Sequence, residues 1–164
     1  MKKRVMIHFR QTDGMTSVFD GRDDIEVEYF DQLSEDNIQQ HIGNYDAVIL
    51  GAAPLTARLI EAAPKLKIAA RIGVGYDTVD VPALTKAGIP LAIAGIANSV
   101  TVAEHSLFFM LALAKRAVQY DREVRKGNWN IRFDAPAYDL AGKKVMILGY
   151  GRIGRRLVPM VKAM

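Results

Sequence analysis

Leu66-Lys67-Ile68-Ala69-Ala70-Arg71-Ile72-Gly73-Val74-Gly75 is a run of strand length that is apolar through its middle and ends in two glycines. Pro64 stands just before it and stops a helical stretch, Leu55 to Ala63. A short apolar run bounded by turn signals reads as a buried strand. The same unit recurs on both sides. Upstream, Ser34 caps a polar helix that stops near Gly43, and Ala47-Val48-Ile49-Leu50 is a strand ending at Gly51. Downstream, Pro82 to Lys86 is a short helix closed by Gly88, and Pro90 to Ala94 is a strand ending at Gly95. At the start of the chain, Arg4 to Phe9 reads as a strand and Gln11 to Arg22 as a loop with Asp13-Gly14 and Asp20-Gly21 turns. Ile25-Glu26-Val27-Glu28-Tyr29 then alternates apolar and acidic, as a strand near a sheet edge does. Strands alternating with helices make the class α/β, with a mostly parallel sheet joined by right-handed crossovers. Ligands of such sheets bind beyond the carboxyl ends of the strands. The loops Gly51 to Pro54, Gly73 to Asp77 and Gly95 to Ser99 are therefore the candidate rim.

Thr101-Val102-Ala103-Glu104 has capping-box spacing, so a long helix is expected from residue 101 to about 126. Its first half (Leu107, Phe108, Phe109, Met110, Leu111, Leu113) is apolar nearly all round, which calls for burial between domains or subunits. A loop with Trp129 follows, and Lys144 to Leu148 reads as a strand running into Gly149-Tyr150-Gly151-Arg152-Ile153-Gly154. This G-x-G-x-x-G lies between a strand and a helix, Arg152 to Met164, where bare backbone and a helix N-terminus can meet a pyrophosphate. In that reading Gly149 permits the tight turn, Gly151 leaves room for phosphates, and Gly154 lets the helix pack on the strand. The competing reading is a tight turn that binds nothing. An acid about 20 residues further on would hold the ribose hydroxyls; it would lie beyond Met164, so NAD and NADP are not distinguished.

The 164 residues are 50% apolar and 24% charged, the balance of a globular protein with a real core. The absence of Cys excludes disulfide scaffolds, Cys-ligated metal sites and thiol catalysis, and fits a reducing, cytoplasmic setting. The basic start Met1-Lys2-Lys3-Arg4 precedes too short an apolar stretch for an export signal, and the longest apolar run, Leu107 to Ala114, is too short for a membrane span. A soluble protein with no membrane partner is expected. The net charge of +4 divides into −5 over residues 1–46 and +9 over residues 47–164. The basic residues are scattered, so a solvated face ranks above nucleic acid. From Ala141 onward there are six Lys or Arg and no acid, which suits an anionic cofactor. Gly73-Val74-Gly75 can aim backbone N–H groups into a concavity that holds a carboxylate, or can simply be a turn. Asn98 can add an amide donor or serve an Asx turn. His8 reads as a packed or edge residue, His41 as solvated, and His105 as poorly placed to act with its neighbour Glu104. No metal-ligand cluster with recognisable spacing occurs.

Taken together, Arg71-Ile72-Gly73-Val74-Gly75-Tyr76-Asp77-Thr78-Val79-Asp80, then Asn98-Ser99-Val100-Thr101-Val102-Ala103-Glu104-His105, then Leu140-Ala141-Gly142-Lys143-Lys144 leading into the glycine turn resemble the D-isomer-specific 2-hydroxyacid dehydrogenases. The resemblance implies a flavodoxin-like substrate domain, placed at residues 1–99, followed by a linking helix and the first β-α unit of a Rossmann NAD(P) domain, residues 100–164. It implies the backbone of Val74 and Gly75 at the substrate carboxylate, Val74 also near the nicotinamide, Asn98 lining the pocket, and Gly149, Gly151, Arg152, Ile153 and Gly154 at the pyrophosphate. The implied reaction is reversible hydride transfer between NAD or NADP and C2 of a 2-oxo acid. Relatives acting on phosphoglycerate tend to carry arginine in the loop after the third strand; here that loop is Gly51-Ala52-Ala53-Pro54, which counts against a phosphorylated substrate. The family's catalytic arginine, carboxylate and histidine would lie beyond Met164. No catalytic residue is therefore assigned, and the chain alone is expected to bind NAD weakly or not at all and not to turn over. A homodimer or an oligomer exchanging its C-terminal segment is expected, with a non-enzymatic flavodoxin-like binding or regulatory module as the alternative.

Overall fold

Five short strands, β1 (Lys3–His8), β2 (Ile25–Tyr29), β3 (Ala47–Leu50), β4 (Ile68–Arg71) and β5 (Leu91–Ile93), pair in parallel in the order β2-β1-β3-β4-β5. The computed structural model describes residues 2–9, 17–30 and 34–164. The Asp13-Gly14 turn lies outside them. The chain divides into two units, Met1–Gly95 and Ile96–Met164.

In the first unit, three helices connect the strands: α1 (Glu35–Ile42), α2 (Ala57–Glu61) and α3 (Val81–Ala87). The steps β2 to β3, β3 to β4 and β4 to β5 all advance in one direction, so right-handed crossovers put α1, α2 and α3 on one face. Neighbouring helices touch in that order. The row Met6, Val48, Ala69 and, two residues on, Leu50 points into them and meets Ile38, Ile42, Leu59 and Leu84 in the core. The step β1 to β2 runs the other way, and its described residues include a 3-10 turn at Ser17–Phe19. On that opposite face Phe19, Ile25, Ala47, Ile49 and Ile68 border an open apolar cavity of about 440 Å³.

Local chemistry sets the helix ends. Ser34 Oγ accepts from the Asn37 N–H at 3.3 Å at the start of α1, and the Asp80 carboxylate accepts from the Ala83 N–H at 2.9 Å at the start of α3. Gly88, at φ +70°, closes α3. The edge strand β2 is held from the side: Glu28 accepts from both the Arg4 guanidinium and the Tyr45 hydroxyl, and Arg4 lies 4.7 Å from the centre of the Tyr45 ring. Hydrogen bonds from Tyr45 and from Arg4 hold the Glu28 carboxyl below its ordinary pKa, while burial and the Glu28 bond push the Tyr45 hydroxyl up.

The second unit contains α4 (Ser99–Ala114), α5 (Ala117–Arg125), α6 (Ile131–Asp134) and α7 (Arg152–Lys162). Three expectations are corrected here. The long helix begins at Ser99, so Thr101 lies inside it and the capping-box reading fails. It is also two helices. Arg116 turns left-handed at φ +51°, its Nε bonds the Pro136 carbonyl at 3.0 Å, and Tyr138 N–H takes the Ala114 carbonyl at 2.8 Å, which draws the end of α4 away from continuing. Finally, Lys144–Leu148 forms no strand: the second unit offers no neighbouring strand to complete a ladder, and Leu148 is 95% exposed. On α4, Phe108, Phe109 and Leu113 are exposed. Among the described residues no helix is long and apolar enough to cross a membrane.

Candidate functional site

The two groups of candidate residues lie in different units. Val74 and Gly75 belong to the first; Asn98 and the glycine turn at 149–154 belong to the second.

In the first unit the carboxyl ends of β3 and β4 are tied into one rim. Ile72 N–H donates to the Leu50 carbonyl at 2.9 Å, and Ala94 N–H, just past β5, donates to the Gly73 carbonyl at 3.0 Å. The loop after β3 is pinned to the loop after β4, because Leu55 N–H donates to the Thr78 carbonyl and Asp80 N–H to the Leu55 carbonyl, both at 2.9 Å. Gly73 sits at φ +151°, a region that side chains disfavour, and this reverses the chain as it leaves β4. Val79 N–H donating to the Tyr76 carbonyl at 2.9 Å closes the turn. No described residue accepts from the N–H groups of Val74 or Gly75. Two adjacent donors at a strand end, Val74 half-buried and Gly75 exposed, can receive a carboxylate.

In the second unit Asn98 is exposed at the start of α4; its carbonyl accepts from the Val102 N–H at 2.9 Å, and its side chain makes no capping bond. That leaves the amide free of the Asx role at the helix start. Gly149, at φ +96°, makes the turn into α7. A Cβ on Gly151 would meet nothing within 4 Å, whereas one on Gly154 would run into the Gly149 carbonyl oxygen and stand 3.3 Å from Ile147 Cγ2. The turn is therefore open where a phosphate would enter and tight where the helix packs. No side chain caps α7 and its first turn holds no acid, while Arg152, Arg155 and Arg156 crowd there. Cations at a helix N-terminus oppose its dipole by a few tenths of a kcal/mol each. Arg155 Nε reaches the Tyr150 carbonyl at 3.3 Å and Arg156 Nε the Ser99 hydroxyl at 3.0 Å, so neither charge is met by an acid among the described residues. This donor set fits a dinucleotide pyrophosphate.

His41 and His105 are exposed, and the His105 ring packs on Phe108 and Phe109. No cluster of metal-ligating side chains occurs among the described residues. Sequence reasoning passed over Arg71 as a site residue, although it is the one charge at the end of an otherwise apolar strand and it lies on the rim beside Gly73.

Residues 6–149 match the family model of the D-isomer specific 2-hydroxyacid dehydrogenase catalytic domain. The chain is 34% identical over 141 residues to the D-3-phosphoglycerate dehydrogenase of Archaeoglobus fulgidus, covering 85% of this chain and 27% of that protein. It is 37% identical over 121 residues to the glyoxylate reductase of Korarchaeum cryptofilum, covering 71% of this chain and 36% of that protein. Among solved structures, the NAD-dependent formate dehydrogenase of Staphylococcus aureus, in complex with NAD, superposes with a TM-score of 0.82 at 27% identity, covering 96% of this chain and 53% of that one. The chain thus spans between about a quarter and a half of the length of these relatives. With the parallel 2-1-3-4-5 sheet, the Gly-x-Gly rim and the family model spanning most of its residues, this chain belongs to the D-isomer specific 2-hydroxyacid dehydrogenases.

Proposed function

We propose that the chain forms the substrate-acid half, and the opening of the nicotinamide-dinucleotide half, of an NAD(P)-dependent oxidoreductase acting on 2-hydroxy and 2-oxo acids. The observation that carries this is the pair of unserved N–H groups at Val74 and Gly75, placed on the rim of a family-matched sheet. They bind the acid's carboxylate and so fix C2, which lowers the entropic part of the barrier. Val74 also borders the nicotinamide, Asn98 lines the acid pocket, and Gly149, Gly151, Arg152, Ile153 and Gly154 hold the pyrophosphate. The cofactor supplies hydride acceptance and donation. The relatives' names, a phosphoglycerate dehydrogenase and a glyoxylate reductase, support small 2-oxo and 2-hydroxy acids as the class.

Residues 1–99 act as the substrate domain and 100–164 as the linker and first β-α unit of the cofactor domain. None of the residues assigned above is an acid–base group, so these 164 residues by themselves are expected not to turn over, in a cytoplasmic setting. The exposed apolar residues of α4 and α5 pair two copies; Phe108, Phe109, Leu113 and Val118 border an open cavity of about 440 Å³ there. The test is amide NMR of the 15N-labelled chain. D-lactate should shift Val74 and Gly75, and NADH or NADPH should shift Ile153 and Gly154. Silence at both sets refutes the assignment, and steady NADH oxidation with glyoxylate or pyruvate refutes the inactivity.

A further inference from the structure

Ser99, the first residue of α4, is 2% exposed, so its hydroxyl is withdrawn from water and must find its partners inside the second unit. A hydroxyl carries one proton and two lone pairs. Ser99 Oγ donates that proton to the Ile96 carbonyl at 2.9 Å, and the Ser99 N–H reaches the same carbonyl at 3.2 Å. These two bonds close a tight turn over residues 96–99, and Asn98 rides on it. With its proton spent the hydroxyl can only accept, and it meets a group that can only donate. Arg156 Nε stands 3.0 Å away, near the start of α7 and 57 residues along the chain.

Arg156 is badly placed for its own helix. A cation near a helix N-terminus opposes the dipole, and this end of α7 has neither an acid in its first turn nor a side-chain cap to offset it. Arg155, beside it, spends its Nε within the glycine turn, on the Tyr150 carbonyl. Arg156 reaches instead to another helix. A side chain that breaks a local rule and makes a long-range bond in exchange points to a role outside its own element. Asn98 shows what that role is. It heads α4 with no capping bond from its side chain, so its amide is aimed by the turn around it, and that turn is held by Ser99 and Arg156.

We propose that Arg156 is a positioning residue: through Ser99 it fixes the turn at 96–99 from the start of α7 and so aims the Asn98 amide. The helix that opens at the glycine turn thereby sets a side chain of the acid pocket. The positioning follows from α4 and α7; its use in binding rests on the assignment of Asn98 proposed above.

The experiment records 15N-edited spectra and amide hydrogen exchange of the 164-residue chain, first without ligand. Arg156→Met keeps the aliphatic stem and removes the donor, and Ser99→Ala removes the acceptor. Each should move the Asn98 side-chain signals. Each should also speed exchange of the Val102 N–H, which is bonded to the Asn98 carbonyl, by about fivefold, the scale of one hydrogen bond to a charged group discounted for the exposure of Arg156. Both substitutions break the same bond, so the double variant should exchange no faster than Ser99→Ala. Arg156→Lys restores a donor and should recover part of the effect, whereas Arg156→Glu, whose carboxylate draws the hydroxyl proton away from Ile96, should be worse than Arg156→Met. Arg155→Met should change neither signal, and the Leu157 N–H of α7 should keep its parent rate in Arg156→Met, which separates aiming from loss of the helix. With D-lactate added, Asn98 should shift in the parent and lose that shift in Arg156→Met, while Val74 and Gly75 respond in both. Asn98 and Val102 signals that ignore Arg156→Met, or a double variant that adds the two effects, overturn the proposal. If D-lactate shifts Val74 and Gly75 but not Asn98 in the parent, the pocket assignment of Asn98 fails and the functional half of the proposal with it. If D-lactate moves none of the three, the acid-pocket reading fails, and the ligand-free spectra still decide the positioning.

Discussion

Replacing Gly154 with alanine tests whether the glycine turn is tight because a helix must pack there. The new Cβ would enter the space of the Gly149 carbonyl oxygen and come within 3.3 Å of Ile147 Cγ2. The obstructing atom is backbone, so no rotamer change relieves it. Restoring ordinary non-bonded spacing of roughly 3.5 Å requires α7 to retreat by about 1 Å. Gly154 and Leu157 are the buried residues of this helix, and that retreat opens the seam they fill. Forced overpacking costs about 1–3 kcal/mol, and a rigid obstacle puts this case at the upper end. The control is Gly151→Ala, where the added methyl meets nothing and φ is an ordinary −86°; it should stay within about 0.5 kcal/mol of the parent. Urea melts followed by far-UV circular dichroism and by Trp129, the sole tryptophan and a residue of the second unit, measure both variants. If Gly154→Ala and Gly151→Ala melt alike, the packing argument is wrong. In a dinucleotide titration the order should invert: a methyl at 151 occupies the open side of the turn and should weaken binding without loss of stability.

Three further outcomes follow from particular contacts. Glu28 titrates below the ordinary glutamate range because of its bonds from Tyr45 and Arg4, so the stability it contributes is complete above about pH 4.3 and is lost as pH falls through its depressed value. An acid series of melting temperatures should therefore decline below that pH, and Glu28→Gln should flatten the decline; an unchanged slope would exclude this cluster as its source. Asp80→Ala removes the acceptor for the Ala83 N–H and should cost about 1 kcal/mol in a urea melt, with Asp80→Asn recovering most of it. Leu113→Glu places a charge on a residue that is 78% exposed on the apolar face of α4. Sedimentation should show concentration-dependent pairing in the parent and its loss in the variant, and a parent that is monomeric at high concentration contradicts pairing through this face.

The first unit was legible because each of its signals is local. Alternation in Ile25–Tyr29 marked an edge strand, and β2 is the edge. Apolar runs ending in glycine marked β3, β4 and β5, and Ser34 and Gly88 marked helix ends that the structure places at the same residues. The second unit was read less well, for one recurring reason. Whether Lys144–Leu148 is a strand depends on a neighbour, since a ladder belongs to two segments, and hydrophobic pattern reports only one of them. Whether the helix after Asn98 continues past Ala114 depends on Pro136 and Tyr138, which take up Arg116 and the Ala114 carbonyl from 20 and 24 residues away.

Arg71 shows the same limit inside the candidate site. In the sequence it is an arginine at a strand end, a position that ordinarily means solvent. What changes its meaning is the glycine two residues on: at φ +151° Gly73 turns the chain and, lacking a Cβ, leaves the space into which the guanidinium folds. The spacing of Arg71, Gly73, Val74 and Gly75 was in view from the start, but a pattern of residue types does not say which donors remain unserved once the turn is made. That is a property of the closed hydrogen-bond network, in which Ala94 takes the Gly73 carbonyl and Tyr76 closes on Val79. The residues left over from that network are the ones with chemistry to offer a ligand, and here they are a charged fork and two adjacent amides on one turn.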